Sequence, residues 1–161
     1  MTNLHATMQI TADFKSELER EYEHLRSSVR PMIAERLQSA REGGDITDNA
    51  AFEQAKEDLA RLMGRMAEIE QTLREAVLLD GNGHKRKKTV ELGSIVTVAK
   101  PDGRSTTYTI VSSLEASPND GKISNDSPVG RALVGRKRGD SVTVQAPAGP
   151  SKITITDIQH M

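Results

Sequence analysis

Apolar residues in the first half of the chain recur in steps of three and four. The first run is Leu18, Tyr22, Leu25, Val29, Met32/Ile33, Leu37 and Ala40. The second is Phe52, Ala55, Leu59, Leu62, Met66, Ile69, Leu73 and Ala76, and its steps alternate between three and four without a fault. That spacing lays one apolar stripe along a helix, as in the a/d seam of a coiled coil. Pro31 interrupts the first run. It lacks a backbone donor and crowds the preceding turn, so a kink or restart is predicted near Arg30. Gly43-Gly44 stops the first helix, and Thr47, Asp48 or Asn49 can cap the second. Each arm of about 30 residues would be roughly 45 Å long at the helical rise. Neither arm can bury its stripe alone, and so short a loop makes them antiparallel neighbours. Residues 1–80 therefore read as an antiparallel coiled-coil hairpin with its tip at 43–49. Residues 1–12 lack a period and read as a loose lead-in, with Thr11 or Asp13 as a possible cap.

After a linker at 81–89, rich in Gly and Lys, the period falls to two. Strands are predicted over Ser94–Ala99, Thr106–Ser113, Ser141–Ala146 and Lys152–Ile158. Pro101-Asp102-Gly103 reads as the turn between the first two, and Ser127–Val134 as a short helix opened by Ser-Pro. Residues 90–161 are thus a small domain with a mostly antiparallel sheet, and the whole chain is a two-domain α+β protein.

Composition supports this division. The 161 residues include no Trp and no Cys, two Phe and two Tyr. So few large side chains suit a hairpin that buries only a seam. The lack of Cys excludes disulfides and zinc–thiolate sites. The sequence shows no signal pattern and no apolar run long enough for a membrane, so a soluble cytoplasmic protein without a membrane partner is expected. The net charge of −1 conceals an asymmetry. Residues 1–80 carry 10 Lys+Arg against 16 Asp+Glu, and the remainder 12 against 7. The two halves should therefore meet different partners.

Candidate chemistry lies at the tip. Asp45 and Asp48 form an exposed carboxylate pair, able to ligate a hard cation such as Mg²⁺ if a partner completes the shell. Equally, Asp48 can be the N-cap of the second helix and Asp45 a turn residue. The basic run Lys85, Arg86, Lys87 and Lys88, with Arg131, Arg136, Lys137 and Arg138, can attract a phosphate backbone, or can be a solvated surface. No aromatics are interleaved with it. His5, His24, His84 and His160 have no ligand spacing, and no nucleophile elbow or phosphate-binding loop is present. A self-contained enzyme is not expected.

These residues together resemble a known family. Arg30-Pro31, Ala40-Arg41, Gly44-Asp45 and Asp48-Asn49-Ala50 follow the first-domain pattern of the Gre transcript cleavage factors of bacterial RNA polymerase. Ile123-Ser124, Ser127-Pro128, Gly130, Ala132-Leu133, Gly135 and Gly139-Asp140 follow the second-domain pattern, as do Leu92-Gly93-Ser94, Val96 and Ile110-Val111. The likeness runs from about residue 13 to 158. It implies a coiled-coil hairpin joined to an FKBP-like domain. The second domain would dock on the polymerase, with Ser127, Pro128, Gly130, Ala132, Leu133 and Gly135 as docking residues. The hairpin would enter the secondary channel. Asp45 and Asp48 would then help hold the second Mg²⁺ of the polymerase centre, the only cofactor implied. Lys85, Arg86, Lys87 and Lys88 would lie toward the nascent RNA 3′ end.

Four positions depart from the pattern: Asp48 replaces a usual Glu, Ala51-Phe52 replaces Glu-Tyr, and Ser117 replaces an acidic residue. With the tip altered, the sequence favours a channel-occupying inhibitor or competitor of cleavage factors. The alternative is a cleavage factor using Asp45 and Asp48. A reading of another class is a coiled-coil chaperone or adaptor. Isomerase activity is not expected, because Tyr108 is the only aromatic in the second half. The hairpin supplies its own partner helix, so a monomer is expected.

Overall fold

A computed structural model describes residues 8–43, 46–79 and 88–161; the side chains of residues 46–48 lie outside that description. The chain forms two compact units. One is Asp13–Ala76, and the other joins the residues up to Ala12 to those from Val77 onward. Among the described residues, no helix is long and apolar enough to cross a membrane.

The first unit is a helical hairpin. Its first arm is α1 (Ala12–His24, whose first residue belongs to the other unit), a π-helical segment (Leu25–Val29) and α2 (Arg30–Gly43). Its second arm is α3 (Ile46–Glu75). Cross-arm pairs show the antiparallel register. Tyr22 donates a hydrogen bond to Glu70, Arg65 reaches Glu21 at 2.7 Å, and Arg36 reaches Asp58 at 3.0 Å. Ile33, Leu62 and Met66 form the buried seam, flanked by Tyr22, Leu25, Val29, Leu37 and Leu59. Of the ambiguous pair Met32/Ile33, Ile33 is buried and Met32 is 54% exposed.

The break predicted at Pro31 takes a defined form. Leu25, Val29, Ile33 and Leu37 are three successive steps of four, one residue more than an alternating seam allows. A regular α-helix would carry this stripe progressively off the seam. The π-helical segment takes up the surplus: Arg30 N donates to Leu25 O, five residues back. Pro31 follows directly, where a missing N–H is least costly.

The second unit is built on a five-stranded sheet. Its strands are β3 (Ser94–Ala99), β4 (Ser105–Val111), β5 (Lys122–Ser124), β6 (Ser141–Ala146) and β7 (Gly149–His160), in the order β5-β4-β3-β7-β6. All neighbours are antiparallel except β4 and β5. A bulge in β7 opposite Thr97 and Val98 is closed by Thr156, whose hydroxyl donates to Thr97 O at 3.0 Å. The expected strands are present; the second starts at Ser105 and ends at Val111, and the last is longer at both ends. Pro101-Asp102-Gly103 turns as predicted, with Gly103 at φ +82° and Lys100 N donating to Arg104 O at 2.8 Å. Helix α4 (Pro128–Leu133) closes the core over Val90, Val96, Val98, Ile110, Val142, Val144, Ile153 and Ile155.

The described end of the lead-in is not loose. Gln9–Ile10 (β1) pairs in parallel with Val77–Leu78 (β2). Beside it, Thr11 donates from its N–H and hydroxyl to the Glu115 carboxylate, at 3.3 and 2.5 Å. Ile10 and Glu115 are both buried. The chain thus enters and leaves the hairpin through a small sheet belonging to the second unit.

Candidate functional site

The hairpin apex joins α2 to α3. Asp45 lies outside the described residues. The Asp48 backbone is in the first turn of α3, and its side chain is outside the description. Among the described residues no group of three or more His, Cys, Asp or Glu forms a metal site. By donor chemistry, two carboxylates suit a hard cation such as Mg²⁺ but need further ligands from elsewhere.

Just below the apex, two cations approach the Phe52 ring. The Arg41 guanidinium, in the last turn of α2, and the Lys56 ammonium, one turn along α3, each lie 5.6 Å from the ring centroid. That distance is within cation–π range. Lys56 also approaches both Glu53 carboxylate oxygens at 3.4 Å. Beside this cluster an open groove of ≈ 420 Å³ is lined by Met32, Glu35, Arg36, Ser39, Ala40 and Ala51. Its small residues Ala40 and Ala51 flank the apex in the sequence. The Arg41–Phe52 pairing was not anticipated, although a cation ending one arm opposite an aromatic opening the next is a readable signal.

Lower on the shaft, Arg65 grips Glu21 through Nε and Nη2 at 2.7 and 2.8 Å. These hydrogen bonds hold the Glu21 carboxyl below its ordinary range and push Arg65 up. Tyr22 is pushed up because its hydroxyl donates to the Glu70 carboxylate. On the β3–β4 turn, hydrogen bonds from Arg104 hold Asp102 low.

The string Ser127 to Gly135 builds α4. Ser127 caps it: its Oγ accepts from Gly130 N at 3.0 Å and donates to Ser124 O at 2.7 Å. Pro128 occupies the first turn. Gly130 is buried, and a Cβ there would meet Ser124 O at 2.0 Å. Ala132 packs on the core, and Leu133 is fully buried within it. Gly135, at φ +81°, ends the element and donates to Val90 O at 2.7 Å. Gly130 and Leu133 thus set the position of α4 without presenting a side chain to a partner.

Preceding this helix is a cleft of ≈ 290 Å³, bounded by Met8, Leu92, Ser112, Leu114, Asn125 and Asp126. Leu114 is 50% exposed there. Ser112 Oγ is buried without a hydrogen-bond partner among the described residues. Asp126 accepts from Ser113 Oγ at 3.2 Å. Of the basic run, Lys85, Arg86 and Lys87 lie outside the described residues, and Lys88 is exposed.

Two family models match. "Transcription elongation factor, N-terminal" covers residues 8–78, and "Transcription elongation factor, GreA/GreB, C-term" covers 85–160. The chain is 43% identical over 150 residues to transcription elongation factor GreA of Thermomicrobium roseum, covering 93% of this chain and 96% of that protein. It is 41% identical over 150 residues to transcription elongation factor GreA of Bacillus subtilis, covering 92% and 94%. The crystal structure of GreA factor homolog 1 of Thermus thermophilus is 28% identical, covers 94% of this chain and 98% of that one, and superposes with a TM-score of 0.43, too low to bear on function.

Proposed function

Because the chain belongs to the GreA/GreB family of transcription elongation factors, we propose that it acts on bacterial RNA polymerase and stimulates hydrolysis of the nascent RNA in backtracked complexes. The observation that carries this reading is the carboxylate pair Asp45 and Asp48 at the apex of the hairpin. A steric plug needs length and shape, which the shaft supplies; it has no need of two oxygen donors at its end. The altered tip tilts the sequence toward inhibition. The 41–44% identity to proteins named transcription elongation factor GreA, across both halves, tilts it back. Asp in place of Glu shortens the reach by one methylene but leaves the donor chemistry unchanged.

In this reading the chain is an accessory factor rather than an enzyme on its own. Asp45 and Asp48 bring oxygen donors to the polymerase centre, whose own groups complete the set. A Mg²⁺ held there would activate the attacking water and stabilise the leaving oxygen. The second unit docks on the polymerase. The cleft beside Leu114 and Asp126 fits that task, offering an exposed apolar side chain next to a carboxylate. Lys88 and the rest of the basic run would attract the RNA phosphates.

Asp48 and Ala51 favour a second reading, in which the hairpin occupies the channel and slows nucleotide addition without cleavage. One experiment separates the two. A stalled, backtracked complex is mixed with the protein, and an actively extending complex is treated in parallel. Shortened RNA in the first with undiminished extension in the second supports cleavage. Slowed extension without shortened RNA supports occupancy. Absence of both effects and of polymerase binding overturns the proposal.

A further inference from the structure

Toward the apex the seam of the hairpin opens into a groove. The buried seam residues Ile33, Leu62 and Met66 lie in the shaft, as do the cross-arm ion pairs Glu21–Arg65 and Arg36–Asp58. Beyond them Leu37 and Leu59 still pack on the seam, and Ala40 and Ala51 line an open groove with Met32 and Arg36. Among the described residues, Phe52 is the aromatic side chain that meets both arms near their ends. Its ring takes the Arg41 guanidinium from α2 and Lys56 from its own helix, each at 5.6 Å. The Arg41 contact crosses between the arms four residues from Asp48 in sequence.

We infer that Phe52 is a positioning residue. By clasping Arg41 it fixes the last turn of α2 against the first turns of α3, and with them the backbone that carries Asp48. This rests on the cleavage reading for its consequence, but the clasp itself can be tested without it. A carboxylate acting on a cation at another protein's centre has to arrive within about 1 Å of its working position, and a miss of that size costs on the order of a hundredfold in rate. Phe serves the clasp through its ring face and needs no hydroxyl, which accounts for Phe52 standing where the family pattern has Tyr.

The test uses the full-length protein and the polymerase, with Phe52→Leu, Phe52→Tyr and Arg41→Gln. Leu keeps apolar bulk and loses the ring; Tyr keeps the ring. Cleavage at saturating factor should fall on the order of ten- to a hundredfold for Phe52→Leu and Arg41→Gln, and stay near the parent for Phe52→Tyr. The factor concentration giving half the effect should not change. Amide exchange should quicken at Glu42, Gly43 and residues 46–50 in the two impaired variants, and stay unchanged at residues 59–69. Parent-like cleavage by Phe52→Leu would overturn the inference, as would exchange quickening equally along both arms. If the parent protein itself gives no stimulated cleavage, the functional proposal falls, and the exchange pattern alone decides whether the clasp exists.

Discussion

At the scale of single residues, the string that resembles a docking motif is first a packing motif. Gly130 sits so close to Ser124 O that a Cβ would overlap it at 2.0 Å. Backbone has to move to admit a methyl group, so Gly130→Ala should destabilise the second unit by about 1–3 kcal/mol, measured by denaturant unfolding. Leu133 is fully buried, and Leu133→Ala should cost about 2–5 kcal/mol. For both variants, weakened polymerase binding should track the unfolded fraction. Asp126→Asn and Leu114→Ser, altered on the surface of the cleft, should weaken binding with the unfolding midpoint unchanged. Glu115 is a different case: it is 5% exposed and accepts twice from Thr11. Glu115→Ala leaves a Thr11 N–H without that acceptor, which should cost about 1–3 kcal/mol. Thermal unfolding of the variant against the parent would show it.

At the scale of elements, legibility followed periodicity. The hairpin arms were readable because one stripe repeats over many turns, and β3 and β6 because Val alternates with polar residues. The break at Pro31 was readable, but its π-helical form follows from counting the surplus residue between Leu25 and Leu37. Strands β1 and β2 were missed because two residues hold no period, and their pairing joins positions far apart in the chain. Strand β5 was missed because Lys122–Ser124 contains a single apolar residue. Asp45 and Asp48 stand out in the sequence as candidate chemistry, but their side chains lie outside the described residues, while the Arg41–Phe52 contact depends on which faces of two helices meet.

The shaft also carries a pH-dependent term. Glu21 titrates below its ordinary value of 4.5 when folded, because Arg65 holds the ionised form. A depressed folded pKa adds stability above the unfolded value, and that stability is lost as pH falls through the folded one. The side chains are 39% and 46% exposed, so solvent screening limits the pair to about 1 kcal/mol or less. The difference in unfolding midpoint between the parent and Glu21→Gln should therefore be present at pH 7 and shrink as pH falls below the ordinary carboxyl value and through the lowered folded-state one.

For the whole molecule, the proposed function divides between the two units. The hairpin supplies length and an acidic end. The second unit supplies a folded platform with a cleft, and it holds both chain segments that lead into the hairpin. The charge asymmetry of the sequence maps onto this division. The central claim is that the apex carboxylates bring oxygen donors to the polymerase's chemistry. Its most direct test is the rate of 3′-end RNA shortening in a purified backtracked complex, with the parent protein, Asp45→Asn and buffer alone compared at saturating factor. Shortening well above buffer is expected for the parent, and a return toward the buffer rate for Asp45→Asn with polymerase binding retained. Equal shortening by the parent and Asp45→Asn, or none above buffer from a parent that binds the polymerase, would contradict it.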